Sequence, residues 1–119
     1  MRTLLVVSHG SHSPKTKLEV EALVKVLTSR NVSDLVELAF LEIENPSIPE
    51  GIDSLATQGA TEIKIVLNFL NSGRHVNTDI PNIVEVAQKK YPSIKFSITS
   101  PVGQHPKIVD LFSDLVREK

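Results

Sequence analysis

Hydrophobic positions along the chain change their spacing several times, and each change predicts an element. The run Leu4-Leu5-Val6-Val7, inside Thr3 to Ser8, is continuous rather than alternating, which predicts a strand buried on both faces. It runs straight into His9 and Gly10. Ser13 and Pro14 then suit the N-cap and first position of a helix, whose stripe is Leu18, Ala22, Leu23, Val26 and Leu27 and which fades around Ser29 to Asn31. Leu35 to Ile43 predicts a second strand, with Glu42 near its C-terminal end. Pro46, Ser47 and Pro49 punctuate the way into a second helix carrying Ile48, Ile52, Leu55 and Ala56, with Gly59 as its stop. Glu62 to Leu70 predicts a third strand, followed by a polar loop from Asn71 to Thr78. A third helix shows Ile80, Ile83, Val84 and Ala87 on one face and ends near Tyr91-Pro92; Asp79, in its first turn, is expected to serve the helix dipole. Ile94, Phe96 and Ile98 alternate with polar residues, as in a half-exposed edge strand, and Pro106 starts a last helix with the stripe Ile108, Val109, Leu111, Phe112, Leu115 and Val116.

The order is βαβαβαβα with short connections, which predicts one α/β domain over residues 1–119: a four-stranded parallel sheet in a flavodoxin-like three-layer sandwich, strand order 2-1-3-4, with right-handed crossovers. In such a sheet ligands bind beyond the carboxyl ends of the strands where the order reverses, here between strands one and three. These are the strands followed by His9 and His75. All 4 histidines of the chain (His9, His12, His75 and His105) fall in loops leaving strands one, three and four, that is, on one rim.

Composition narrows the chemistry. With 13 basic against 14 acidic residues and no basic block, neither nucleic acid nor a membrane surface is expected as partner. The absence of Cys removes disulfides, thiolate metal sites and a cysteine nucleophile. Leu4 to Val7 is too short for a signal peptide or a membrane span, so a soluble cytoplasmic protein is expected. HExxH, Walker, GxGxxG and GxSxG patterns are all missing. What remains is two imidazoles, His9 and His75, and one carboxylate, Glu42: a donor set that holds a first-row divalent ion while leaving it free to exchange ligands. Lys15 and Arg74 border the proposed mouth and suit an anionic substrate.

Three stretches together resemble the CbiX/SirB family of small sirohydrochlorin chelatases, relatives of the larger class II tetrapyrrole chelatases. They are Val7-Ser8-His9-Gly10-Ser11, then Phe40-Leu41-Glu42 with Pro46-Ser47-Ile48-Pro49, and Phe69-Leu70 with Gly73, His75 and Asp79-Ile80-Pro81. The likeness runs from the first strand to Pro101-Val102-Gly103. It implies a chelatase-like fold and insertion of Co2+, Ni2+ or Fe2+ into sirohydrochlorin without ATP, in cobalamin, siroheme or related tetrapyrrole biosynthesis. It implies no cofactor beyond the metal substrate, and pairing as a homodimer. By motif position it makes His9 and His75 the paired metal-binding and catalytic histidines and Glu42 the acidic metal ligand. Leu41, Phe69 and Leu70 would wall the flat macrocycle, and Lys15, Arg74 and His12 would meet its carboxylates. The family pattern carries arginine where His12 stands, so a fixed positive charge is lost there. Two other readings use the same residues. A metal- or tetrapyrrole-carrier would bind without turnover. A histidine phosphatase also opens with an apolar strand and a His-Gly pair, but wants an arginine where Ser8 stands.

Overall fold

A computed structural model describes residues 1–118, with β1 (Arg2–Ser8), α1 (Pro14–Ser29), β2 (Leu35–Phe40), α2 (Ile48–Thr57), β3 (Glu62–Leu67), α3 (Ile80–Lys90), β4 (Lys95–Pro101) and α4 (Ile108–Arg117). A π-helical turn at His75–Asp79 precedes α3, and a 3-10 turn at Val102–Gln104 precedes α4. The strands form one parallel sheet in the order β2-β1-β3-β4, as the alternation of strands and helices predicts. Val7 pairs with both Ala39 and Leu67, so the exits of β2, β1 and β3 lie side by side on one rim.

One face of the sheet is sealed. Leu5, Val7, Ala39, Ile63, Ile65 and Leu67 meet Ile48, Ile52 and Leu55 of α2 and Ile80, Val84 and Ala87 of α3 in a single core. Each fully buried Val, Leu or Ile among them is worth about 1.5–3 kcal/mol. α2 is also well started. Ser47 Oγ accepts the Glu50 N–H at 3.2 Å while the Glu50 carboxylate accepts the Ser47 N–H at 2.8 Å, a reciprocal cap that holds the Glu50 carboxyl below its ordinary value. A further tie joins α2 to the end of α3: the Tyr91 hydroxyl and the Lys90 ammonium both donate to Asp53 Oδ1.

The other face is thinner. α1 buries only Val20 of its length, over a sheet surface that includes Val6 and Val36, and Ser13 stands at its N-cap position without a side-chain cap bond. α4 buries none of its residues. Its apolar stripe is the predicted one, yet Val109, Leu111, Phe112, Leu115 and Val116 are each at least 50% exposed. The helix stands off the sheet. The radius of gyration is accordingly 14.7 Å, against about 13.5 Å for a compact chain of this length.

Two strands stop earlier than their apolar runs. β2 ends at Phe40, not Ile43: the Phe40 N–H turns to the Pro46 carbonyl, and Ile43 takes φ +72°, so the chain folds back before α2. β3 ends at Leu67, not Leu70, where the pairing with β4 slips and Thr99 Oγ1 accepts the Leu67 N–H. The loop read over Asn71 to Thr78 is partly helical, because the π-helical turn begins at His75. Among the described residues no helix is long and apolar enough to cross a membrane.

Candidate metal centre

β1 delivers His9 directly, one residue past its last paired position, and the backbone does the rest. The Leu41 N–H donates to the Ser8 carbonyl at 2.8 Å and the Glu42 N–H to the His9 carbonyl at 3.0 Å, stitching the turn after β2 onto the exit of β1. Gly10 is required there on two counts. Its φ is +105°, and a Cβ at this position would lie 1.9 Å from the Glu42 carbonyl oxygen. The stitch brings Glu42 Oε1 to 2.7 Å from His9 Nε2. On the far side of the ring, His9 Nδ1 lies 3.1 Å from the Gly10 carbonyl. A carbonyl only accepts, so Nδ1 donates and Nε2 is the nitrogen presented to Glu42.

His75 arrives by a longer route. Beyond β3, the Asn68 N–H donates to the Val7 carbonyl at 2.8 Å and its side-chain amide to Ser8 Oγ at 2.9 Å. Leu70 is pressed against Gly103, where a Cβ would lie 2.0 Å from the Leu70 carbonyl oxygen; the Gly103 N–H in turn donates to the Phe69 carbonyl at 3.0 Å. The chain then enters the π-helical turn, in which the Ile80 N–H donates to the His75 carbonyl, and His75 Nδ1 donates to Asp79 Oδ2 at 2.7 Å. Asp79 stands at the N-terminus of α3, as its position predicts, but makes no cap bond; its carboxylate is engaged by His75 instead. The two imidazole rings end 5.4 Å apart between centroids, tilted by 54°.

His9, Glu42 and His75 each offer one donor atom, all within 4.8 Å of one another. First-row ions hold nitrogen and oxygen donors at about 2.0–2.2 Å, which puts ligands on one ion up to about 4 Å apart. Small rotations of the side chains close that difference. Their side chains are 45%, 51% and 45% exposed, so an ion held there keeps open positions toward solvent.

The remaining residues named from the sequence scatter around this cluster. Leu70 projects into solvent on the same rim, whereas Leu41 and Phe69 are half-buried against the core. Arg74 and Lys15 are exposed and make no ion pair among the described residues. His12 lines a neighbouring groove with Ser11, Lys17, Ile43 and Glu44, into which none of the three clustered side chains projects. His105 accepts the Lys107 N–H at Nδ1 and so belongs to the start of α4. Two acidic residues escape a reading by residue type. Asp79 is one; its spacing of four from His75 on a helical turn is the signal that could find it. Glu44 is the other; it accepts the Ser11 N–H at 2.8 Å and pins the loop after His9, and nothing in its spacing announces that.

An open parallel α/β sheet that gathers two histidines, from the exits of its central strands β1 and β3, and one carboxylate, from the turn after β2, places the chain among α/β proteins with a candidate metal site at the strand exits. Comparison with known proteins narrows the class. The family model described as CbiX matches residues 3–119, and the chain belongs to that family. It is 32% identical over 114 residues to the chloroplastic sirohydrochlorin ferrochelatase of Arabidopsis thaliana, covering 96% of this chain and 51% of that protein. It is 30% identical over 118 residues to the sirohydrochlorin cobaltochelatase of Priestia megaterium, covering 99% of this chain and 38% of that protein. Among solved structures, the sirohydrochlorin chelatase SirB of Bacillus subtilis subspecies spizizenii in complex with cobalt superposes with a TM-score of 0.89 at 30% identity, over 98% of this chain and 50% of that one. The chain thus spans about half the length, or less, of these relatives.

Proposed function

We propose that this chain, as one chelatase-like unit over residues 1–119, inserts a divalent metal ion into sirohydrochlorin without ATP, in cobalamin, siroheme or related tetrapyrrole biosynthesis. The observation that carries the reading is the His9–Glu42–His75 cluster at the neighbouring exits of β1, β2 and β3, half open to solvent. The metal, Co2+, Ni2+ or Fe2+, is a substrate, and no resident cofactor is needed. His9, Glu42 and His75 hold the ion while its other positions carry water. As the flat macrocycle approaches, its four ring nitrogens replace these ligands, and the two pyrrole N–H protons must leave. Each of the two imidazoles, once it gives up the metal, is free to accept one of them and pass it to solvent. Leu70 is placed to pack on the macrocycle, with Leu41 and Phe69 behind it, while Arg74, Lys15 and His12 supply cationic or hydrogen-bonding groups for its carboxylates. The names of the relatives, which include both a ferrochelatase and a cobaltochelatase, support the substrate class and leave several metals open.

The unit works as a cytoplasmic homodimer. The support is α4, whose apolar face finds no cover in its own chain. Its five exposed side chains present on the order of 500 Å² per copy, so a symmetric pairing covers about 1,000 Å², at the low end for specific interfaces. Sedimentation equilibrium should give twice the mass of one chain, falling to one chain in a Phe112→Asp, Leu115→Asp variant. A wild-type protein that sediments as a monomer argues against pairing.

Anaerobic incubation with sirohydrochlorin and Co2+, Ni2+ or Fe2+, followed by absorbance, tests the activity. Metal-dependent turnover above the spontaneous rate is expected, lost in His9→Ala and severely reduced in His75→Ala. Equal rates for all three proteins would remove the chelatase reading, and stoichiometric binding without turnover would replace it with a carrier.

A further inference from the structure

His9 and His75 point to the same gap, yet their rings are held in different ways. The Nδ1 of His9 donates to a main-chain carbonyl, which any sequence supplies. The Nδ1 of His75 donates to a side chain, Asp79, at 2.7 Å. Four residues separate that pair, within one π-helical turn, and at this turn Asp79 is not spent on capping the helix that follows. The Ile80 N–H is already taken by the His75 carbonyl, Pro81 has no N–H to be capped, and the Asp79 carboxylate makes no bond to the Asn82 N–H either. Asp79 accordingly makes no cap bond. Stability does not account for the contact either, since the two side chains are 45% and 40% exposed and an exposed ion pair contributes little. What the contact does fix is geometry. With Nδ1 committed to the carboxylate, only Nε2 of His75 remains for the gap shared with His9 and Glu42. Ile80, fully buried in the core, anchors the turn one residue further on.

We infer that Asp79 is a positioning residue for His75: its carboxylate selects the tautomer with the proton on Nδ1 and aims Nε2 at the metal position. The inference rests on the reading of His75 as a metal ligand. Removing an outer partner of this kind lowers metal affinity by roughly 10–100-fold in comparable sites.

Metal-free protein titrated with Co2+ alone, following ligand-field absorption, separates the two ideas. Asp79→Ala should bind Co2+ roughly 10–100-fold more weakly, with its thermal midpoint nearly unchanged. Asp79→Asn should lose less, because the amide oxygen accepts the same Nδ1–H. His75→Ala should be at least as weak as Asp79→Ala. Nitrogen-15 spectra of the metal-free wild type at mildly alkaline pH should show His75 protonated at Nδ1, with Asp79→Ala giving a mixture of tautomers. If His75→Ala weakens binding while Asp79→Ala binds as the wild type does, Asp79 is not a positioning residue. If His75→Ala itself binds normally, the ligand reading of His75 fails instead. Should Asp79→Ala not fold, the wild-type spectrum decides, since a proton on Nε2 overturns the inference.

Discussion

His9 and His75 leave neighbouring parallel strands and finish 5.4 Å apart, but the fold holds them by opposite strategies. His9 sits one residue from the end of β1, and its backbone and its Nδ1 are fixed by main chain: two N–H groups of the turn after β2, the Gly10 carbonyl, and a Gly10 conformation that leaves no room for a Cβ. His75 comes eight positions after the last residue of β3, too far for a strand to aim it, and a helical turn with a side-chain tether does so instead. A group placed by the backbone is sensitive to changes of backbone. A group placed by a tether is sensitive to the tether.

The largest test of this contrast is removal of the rings themselves. On the proposed function, His9→Ala should reduce metallation to the spontaneous rate, since it removes a proposed ligand and the partner of Glu42 together. His75→Ala should cost about 10²–10⁴-fold if its imidazole takes up a pyrrole proton. Initial rates under anaerobic conditions measure both, and an undiminished rate in either variant would dissolve the pairing. A smaller effect separates the two strategies through glycines that flank the histidines. Gly10→Ala meets a left-handed backbone, worth about 1–3 kcal/mol of strain, and the Glu42 carbonyl besides. It should lower the thermal midpoint and weaken Co2+ binding. Gly73→Ala, two residues before His75, finds nothing within 4 Å and should leave both measurements almost unchanged. Similar losses from the two substitutions would show that backbone placement is not peculiar to His9.

The smallest effect is expected far from both rings. The Tyr91 hydroxyl, and next the Lys90 ammonium, hold the Asp53 carboxyl below its ordinary value of 3.8. A carboxyl so depressed adds stability above its unfolded pKa and loses that contribution as pH falls through its folded one. Tyr91→Phe should therefore lower the thermal midpoint at neutral pH, and its difference from the wild type should shrink on acidification. Co2+ affinity should not change, which calorimetry and absorption can check side by side.

Much of this architecture is legible in the order of residues, for identifiable reasons. The unbroken apolar run from Leu4 to Val7 makes a central strand because only a strand covered on both faces wants that pattern. Ser47 three residues before Glu50 forms its reciprocal cap because the interaction is local. Strand ends are less readable, since they depend on distant partners: β3 stops where Thr99, 32 residues away, takes the Leu67 N–H. Asp79 is the instructive case. An acid before a helix signals a cap, and an acid four residues after a histidine signals a tether; both patterns stand in the same sequence. Only the π-helical geometry chooses between them.

By itself, then, the sequence determined the alternation of strands and helices, the parallel sheet and the rim on which its histidines gather, because apolar periodicity and strand-end position are local properties. The tertiary structure decided which of those histidines meet. It set Glu42 against His9 through a turn that closes only when Gly10 is small, and it left His12 lining another groove and His105 at the start of α4. It also decided that the apolar stripe of α4, as clear in the sequence as that of α2, faces outward. A stripe records that a helix seeks cover, and only packing reveals where the cover lies.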